Sequence, residues 1–260
     1  MSNRKQSKVN HLLQNWPAGT VATQKWLSEM NVSYKLANWH VGSGWLKRFG
    51  PRAFIRPGDD VTWQGGLYAL QTQLGLTVHA GGRTALELQG RAHFVPLGKN
   101  KTVLLISDTT EQLPKWFTSN DWLAGIQHRC ISLFESVPGE AYVTLDSGGF
   151  PIMLSSVELA IMEVIHLMRG NHGITHAHNL MEGLTTLRPV LVQQLLEGCR
   201  SVKVKRFFLW SAETASHDWL KQLDMDRINL GKGRRQLYQG GNMNSKYHIT
   251  VPPQEGLPHV

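Results

Sequence analysis

The sequence predicts an α+β protein, with an amino-terminal winged helix-turn-helix followed by a larger mixed α/β domain. Three observations carry this. The positive charge is confined to one end of the chain, the same end shows three short helical patterns and then a hairpin, and the remainder alternates apolar strand-like runs with capped helical ones.

The charge is the sharpest of the three. The 260 residues carry a formal net charge of +8 and a pI near 9.6. Residues 1–56 hold nine cations (Arg4, Lys5, Lys8, Lys25, Lys35, Lys47, Arg48, Arg52 and Arg56) and one acid, Glu29, which makes +8. The other 18 of the 27 Lys and Arg are matched by the other 18 of the 19 Asp and Glu, so the rest of the chain is balanced. A cationic surface serving only solubility would be spread more evenly. Confinement to one module is what phosphate contact requires.

In SKVNHLLQNWPAG, Val9, Leu12, Leu13 and Trp16 recur at helical spacing until Pro17 and Gly19 stop the pattern. Thr23 caps a second helix that buries Trp26, Leu27 and Met30, and Ser33 caps a third from Tyr34 to about Val41. Gly42, Ser43 and Gly44 end it. Two short strands follow, Trp45–Phe49 and Ala53–Arg56, turning at Gly50-Pro51. Three short helices and a hairpin make the winged helix-turn-helix, whose third helix reads duplex DNA. With Leu36, Ala37, His40 and Val41 inward, Lys35, Asn38 and Trp39 face out beside Ser33 and Tyr34. Asn pairs bidentately with adenine, Lys reaches guanine or phosphate, and a capped helix N-terminus holds a phosphate oxygen. Lys47, Arg48 and Arg52 on the wing, with Arg56 after it, complete the expected DNA-binding set.

Beyond the wing, a fourth helix is expected from Asp59 to Leu74. Gly81-Gly82 makes a sharp turn, and Thr84 with Glu87 fits a capping box, a better reading of that segment than an anion site built with Arg83. HFVPLG, KTVLLIS, ISLFES and AYVTLDSG read as strands. Ser155 and Glu158 then open a helix over VELAIMEVIHLM, two more helices lie near Thr175–Leu184 and Pro189–Cys199, and VKVKRFFLWSAE and HDWLKQL lead to a strand pair around Arg235–Gln239 and Lys246–Val251. The expected division is a DNA-binding domain with connecting helices over 1–93 and an α+β domain over 94–260.

No catalytic constellation stands out. His166, His172, His176, His178 and Glu182 crowd one segment, but around a turn and without an HExxH pattern, so core hydrogen bonding is the better reading and no metal is assigned. Asp146 and Glu158 lack the lysine of a nuclease core. Cys130 and Cys199 make neither a disulfide framework nor a thiolate site. No cofactor is expected. No apolar run approaches the roughly 18 residues of a membrane span, and a cytoplasmic location with no membrane partner is expected. Two basic patches remain in the second half, Lys203, Lys205 and Arg206, then Lys232, Arg234 and Arg235.

The order of features is itself informative. A winged helix ending GWLKRFGPRAFIRPGD, a helix running to AGGRTALELQG, and then LDSGGFPIMLSSVELAIMEVI resembles the AbiEi antitoxins of type IV toxin–antitoxin systems, over nearly the whole chain. That resemblance implies a transcriptional autorepressor that binds inverted repeats in its own promoter. It also implies an antitoxin domain that counters a nucleotidyltransferase-like toxin in abortive infection of phage, without a stable complex. Ser33–Val41 would be the reading helix and Trp45–Arg56 the wing, although Pro51-Arg52 replaces the Arg-Gly common at such wing tips. The two carboxy-terminal basic patches are the antitoxin surface the resemblance suggests. Two other classes compete: a plain winged-helix regulator with a ligand-sensing or dimerising domain, and a metal-dependent nuclease built on the histidines.

Overall fold

Thr23 and Ser33 set the first part of the fold by capping successive helices. Each side chain accepts a hydrogen from a backbone N–H three residues on, Trp26 and Leu36 respectively. The computed structural model describes residues 12–91, 102–107 and 110–253. The cations Arg4, Lys5 and Lys8, the residue Val9 and the expected strand HFVPLG lie outside the described residues. In chain order a helical turn at 12–15 (α1) leads to β1 (Ala22–Thr23), α2 (Gln24–Glu29), α3 (Tyr34–Gly42), β2 (Lys47–Gly50) and β3 (Ala53–Ile55).

The order helix–strand–helix–helix–hairpin is that of a winged helix. Its small sheet runs β1-β3-β2, both pairs antiparallel. β1 escapes sequence reading because two residues show no periodicity. It forms because β3 offers it an edge, with Ala22 opposite Phe54. Around that pairing Leu12, Trp16, Leu27, Val32, Ala37, Leu46 and Phe54 close one apolar core, with Trp26, Met30, Leu36 and Val41 half-buried against it. Burial of this kind is the main stabilising contribution, about 25 cal/mol per Å² of apolar surface.

The chain continues through α4 (Trp63–Thr72), β4 (His79–Ala80), α5 (Gly82–Leu88), β5 (Thr102–Ser107), α6 (Lys115–Thr118), β6 (Gly125–Cys130), β7 (Tyr142–Asp146) and β8 (Pro151–Ser155). It ends with α7 (Val157–Leu167), α8 (Gly170–Glu182), α9 (Pro189–Gly198), α10 (Val202–Thr214), β9 (Asn242–Asn244) and β10 (Ile249–Val251). Among these strands β6-β5-β4-β8-β7 form one sheet, in which β5 and β6 pair in parallel from Thr102 opposite Gly125 to Ser107 opposite Cys130. The described residues fall into two compact units. One draws on residues 12–79, 102–107, 110–130 and 144–154, the other on 80–91, 131–143 and 155–253.

Several expectations are corrected. The fourth helix is shorter than Asp59–Leu74, because Asp59 is held outside it, accepting from the Gly19 N–H at 2.7 Å. Thr84 is buried inside α5 rather than capping it. The cap is Gly81, with no side-chain hydrogen bond, and Glu87 pairs with Arg83. The N–H of Gly82 donates at 2.6 Å to the buried Glu163, so the chain's own carboxylate takes up that helix start. α7 is capped by Ser156, one residue later than expected, because the Ser155 hydroxyl donates to Glu163. ISLFES is no strand. Its backbone bonds meet the end of α9 (Glu135 N–H to Gly198, Arg200 N–H to Leu133), and a helix end offers no ladder. The terminal pair is Asn242–Asn244 with Ile249–Val251, while Arg235 makes only a single bridge to Ile249.

The second unit buries several charges, each neutralised locally. Glu158 on α7 is buried and receives the Arg188 backbone N–H, Nε and Nη2 at 2.9, 2.9 and 2.8 Å. Burial raises its pKa, but the Arg188 hydrogen bonds outweigh that and bring it to about 2. A carboxylate whose folded pKa is depressed stabilises the fold above the unfolded value near 4.5, and that contribution is lost as pH falls toward 2. Arg188→Ala should therefore cost up to about 3 kcal/mol at neutral pH, by leaving a buried carboxylate without its cation. Denaturant melts of both proteins should show this difference shrinking as the pH drops below about 4. A pH-independent difference would mean that Arg188 acts by packing alone.

Candidate nucleic-acid interface

α3 exists because Ser33 caps it and Ala37 and His40 are buried beneath it. It ends at Ser43, just before Gly44 takes a left-handed φ of 77°. The wing begins two residues later. Leu46 points into the core while its neighbour Trp45 stands 48% exposed. β2 and β3 pair from Lys47 opposite Ile55 to Gly50 opposite Ala53, with a bulge at Phe49 that bends the strand. Pro51 and Arg52 form the tip.

Arg52 adopts φ 60°, the left-handed region that glycine favours, and is exposed. Its carbonyl accepts from the Gln24 N–H at 2.9 Å, which ties the tip to the start of α2. An L side chain there costs roughly 1–2 kcal/mol, so the fold carries a strained position that also presents a cation.

Side chains distant in sequence support the back of the wing. A Cβ at Gly50 would lie 2.7 Å from the Cβ of Trp116, so only glycine permits this close approach. Phe49 packs its ring 5.4 Å from that of Trp122, and Asn120 donates to the Phe49 carbonyl at 3.3 Å. The wing therefore rests on residues 116–122 as well as on its own module.

The expected DNA-binding residues divide by placement. Ser33, Tyr34, Lys35, Trp39, Lys47, Arg48 and Arg52 are exposed, Tyr34 at 47% and Trp39 at 52%. Asn38 is half-buried, and its carbonyl oxygen accepts a hydrogen bond from Arg48. Arg48 also donates to the Tyr34 hydroxyl at 3.5 Å and lies 5.7 Å from the centre of the Phe54 ring. Hydrogen bonding to Arg48 first, and then to Asn38, lowers the pKa of Tyr34. Arg56 stands apart. Its guanidinium donates to the Leu13 carbonyl at 2.9 Å and covers the Trp16 ring at 5.3 Å, pinning α1 to the end of the hairpin. Sequence reading missed Trp45, although its alternation with the apolar Leu46 would have marked it as outward. It also missed the Arg48–Asn38–Tyr34 cluster, which no spacing reveals.

The carboxy-terminal patches divide similarly. Lys205 and Arg206 are buried, so neither forms part of a surface. Arg206 donates to the carbonyls of Leu230, Gly231 and Gly233 at 2.5–3.1 Å and organises the segment before β9. Lys203 is half-buried and donates to the His166 carbonyl at 2.7 Å, and burial lowers its pKa to about 8. Lys232, Arg234 and Arg235 are exposed.

The histidines sit on helices rather than around a turn, His166 in α7 and His172, His176 and His178 in α8. His178 is fully buried, 2.6 Å from the Ser211 hydroxyl and packed on the Trp210 ring, and burial lowers its pKa to about 4. Burial likewise lowers those of His166 and His176. Among the described residues no three His, Cys, Asp or Glu are grouped to hold a metal ion, and no helix is long and apolar enough to cross a membrane.

Two family models match the chain. The AbiEi antitoxin N-terminal domain, described as a transcriptional regulator, matches residues 5–97, and the AbiEi antitoxin transcriptional regulator of type IV toxin–antitoxin systems matches residues 100–252. No curated protein matches. Among solved structures, the RV2827C protein from Mycobacterium tuberculosis is similar with a TM-score of 0.58 over 93% of this chain and 88% of that one, at 11% identity, a likeness of fold.

Replacing Arg52 with glycine should remove the left-handed strain at the tip. Thermal melting is expected to rise by ~2–4 °C, about 1 kcal/mol in a chain of this size. An unchanged or lower melting temperature would show that the Arg52 side chain itself stabilises the turn.

Proposed function

Because this chain belongs to the AbiEi antitoxin family of type IV toxin–antitoxin systems, whose members are transcriptional regulators, we propose that it is an autorepressor of its own operon and the antitoxin against a nucleotidyltransferase-like toxin. The observation that carries the DNA half is the exposure of Lys35, Lys47, Arg48 and Arg52 around one reading helix and one wing, in a segment with a single acid. Ser33 and the start of α3 meet a phosphate, α3 enters the major groove, and Lys47 and Arg52 hold the flanking backbone. Arg56 supports the module from within. The operator is an inverted repeat in the chain's own promoter, and the protein works in the cytoplasm without a membrane partner.

The second half opposes the toxin. Of the six basic residues the sequence nominates there, exposure leaves Lys232, Arg234 and Arg235 as the surface to test. The family's type IV label favours antagonism without a stable complex. No enzymatic step is assigned.

One observation favours a second reading, a regulator that senses a ligand. The second unit holds an open cleft of about 250 Å³ whose lining includes Gln89, Arg91, Ser156, Glu158, Thr186 and Arg188. Promoter binding retained without any effect on a neighbouring toxin would favour it.

Two measurements test the main proposal. Promoter binding at two or more salt concentrations should weaken in Lys47→Ala and Arg52→Ala for every duplex sequence, and the salt slope should fall by about one for each lost phosphate contact. Unchanged affinity and slope in both variants would remove the wing from the interface. Co-expression with the toxin encoded beside it should restore growth with the wild-type chain, and Lys232→Glu/Arg234→Glu/Arg235→Glu should lose that rescue while still binding DNA. Continued growth arrest with the wild-type chain would end the antitoxin assignment.

A further inference from the structure

Arg48 belongs to the wing in sequence but to the reading helix in space. It is the second residue of β2, opposite Phe54 in the register, and its guanidinium reaches back over the Phe54 ring. One terminal nitrogen donates to the Tyr34 hydroxyl and the other to the Asn38 carbonyl oxygen. Tyr34 and Asn38 are one turn apart on the same face of α3, so the guanidinium lies along that face rather than at the wing tip, where Arg52 stands.

Two consequences follow. A bidentate adenine contact needs the side-chain oxygen of Asn38 free to turn toward N6, and Arg48 already engages one of its two lone pairs and sets its orientation. Arg48 has five N–H donors in a planar fork, and Asn38 and Tyr34 use two. Its restraints are an amide, a phenol and a ring face rather than a carboxylate, so its charge is undiminished while its rotamer freedom is already restricted.

We propose that Arg48, held in place by Asn38 and Tyr34, reads the major-groove edge of a guanine, and that Asn38 is a positioning residue for it rather than the reader of an adenine. This rests on the DNA-binding reading above and assigns the source of its specificity.

Selection of duplexes from a randomised pool by the full chain tests it, comparing wild type with Arg48→Lys, Asn38→Ala and the double variant. Wild type should enrich a motif with a guanine at one fixed position in each half-site. Arg48→Lys keeps the charge but not the fork, so preference for that guanine should fall about 10- to 100-fold, well beyond any change in affinity for random duplex, and a wild-type circular-dichroism spectrum shows that the variant folds. Asn38→Ala should lower the same preference by less, and the double variant should lose no more than Arg48→Lys alone, as expected of coupled residues. The proposal is overturned if Arg48→Lys enriches the wild-type motif, if it weakens binding to all duplexes alike, or if Asn38→Ala instead relaxes an adenine elsewhere in the motif. Enrichment of no sequence by the wild type would overturn the DNA-binding reading itself.

Discussion

The amino-terminal module has to anchor its arginines with almost no carboxylate, and its architecture follows from that constraint. Glu29 is the single acid in residues 1–56. Arg56 is accordingly held by a backbone carbonyl and the Trp16 ring, and Arg48 by an amide oxygen, a phenol and the Phe54 ring. Neutral partners orient a guanidinium without cancelling its charge. The module can therefore be well packed and still project a net positive field, which is the condition for gripping a polyanion. An equal number of surface ion pairs would have fixed the same side chains and removed the field.

The second unit meets the opposite condition at Glu158, Glu163 and Arg206, which are buried and must each be compensated where they sit. Glu158 is matched by the guanidinium and the backbone N–H of Arg188, the residue that precedes α9. Glu163 is held by the Gly82 N–H and the Ser155 hydroxyl, and Arg206 by a ring of carbonyls. These contacts join elements far apart in the chain: α7 to α9, α7 to α5, and α10 to the segment before β9. Burying polar groups with complete hydrogen bonding is costly to disrupt, so such ties specify one arrangement of the helices. On α8 His178 also serves the core, held neutral by burial and bonded to Ser211, whereas His172 on the same helix is exposed.

Strain and close approach both occur at the wing. Arg52 occupies a backbone conformation suited to glycine, and Gly50 admits the Trp116 backbone where no Cβ would fit. Both positions shape the tip, and both lie next to the cations that the proposed interface uses. A rigid, slightly strained hairpin delivers its charges in one geometry and avoids ordering them at the moment of binding.

How much of this was legible beforehand depends on the range of the interaction. Charge segregation, the caps at Thr23 and Ser33, the inward residues Leu27, Ala37 and His40 and the apolar run of β5 are local properties, and they determined the winged helix-turn-helix, the α+β class and the general location of the candidate interface. Contacts that no local pattern shows decided the rest. β1 needed the edge of β3, the cap of α7 moved to Ser156 because Glu163 holds the Ser155 hydroxyl, and Arg206 went inside because carbonyls from residues 230–233 surround it. Arg48 and Asn38 each looked like an independent DNA contact. Only the folded hairpin, which sets β2 beside α3, brings them within hydrogen-bonding distance, since ten residues of intervening chain carry no periodicity that links them.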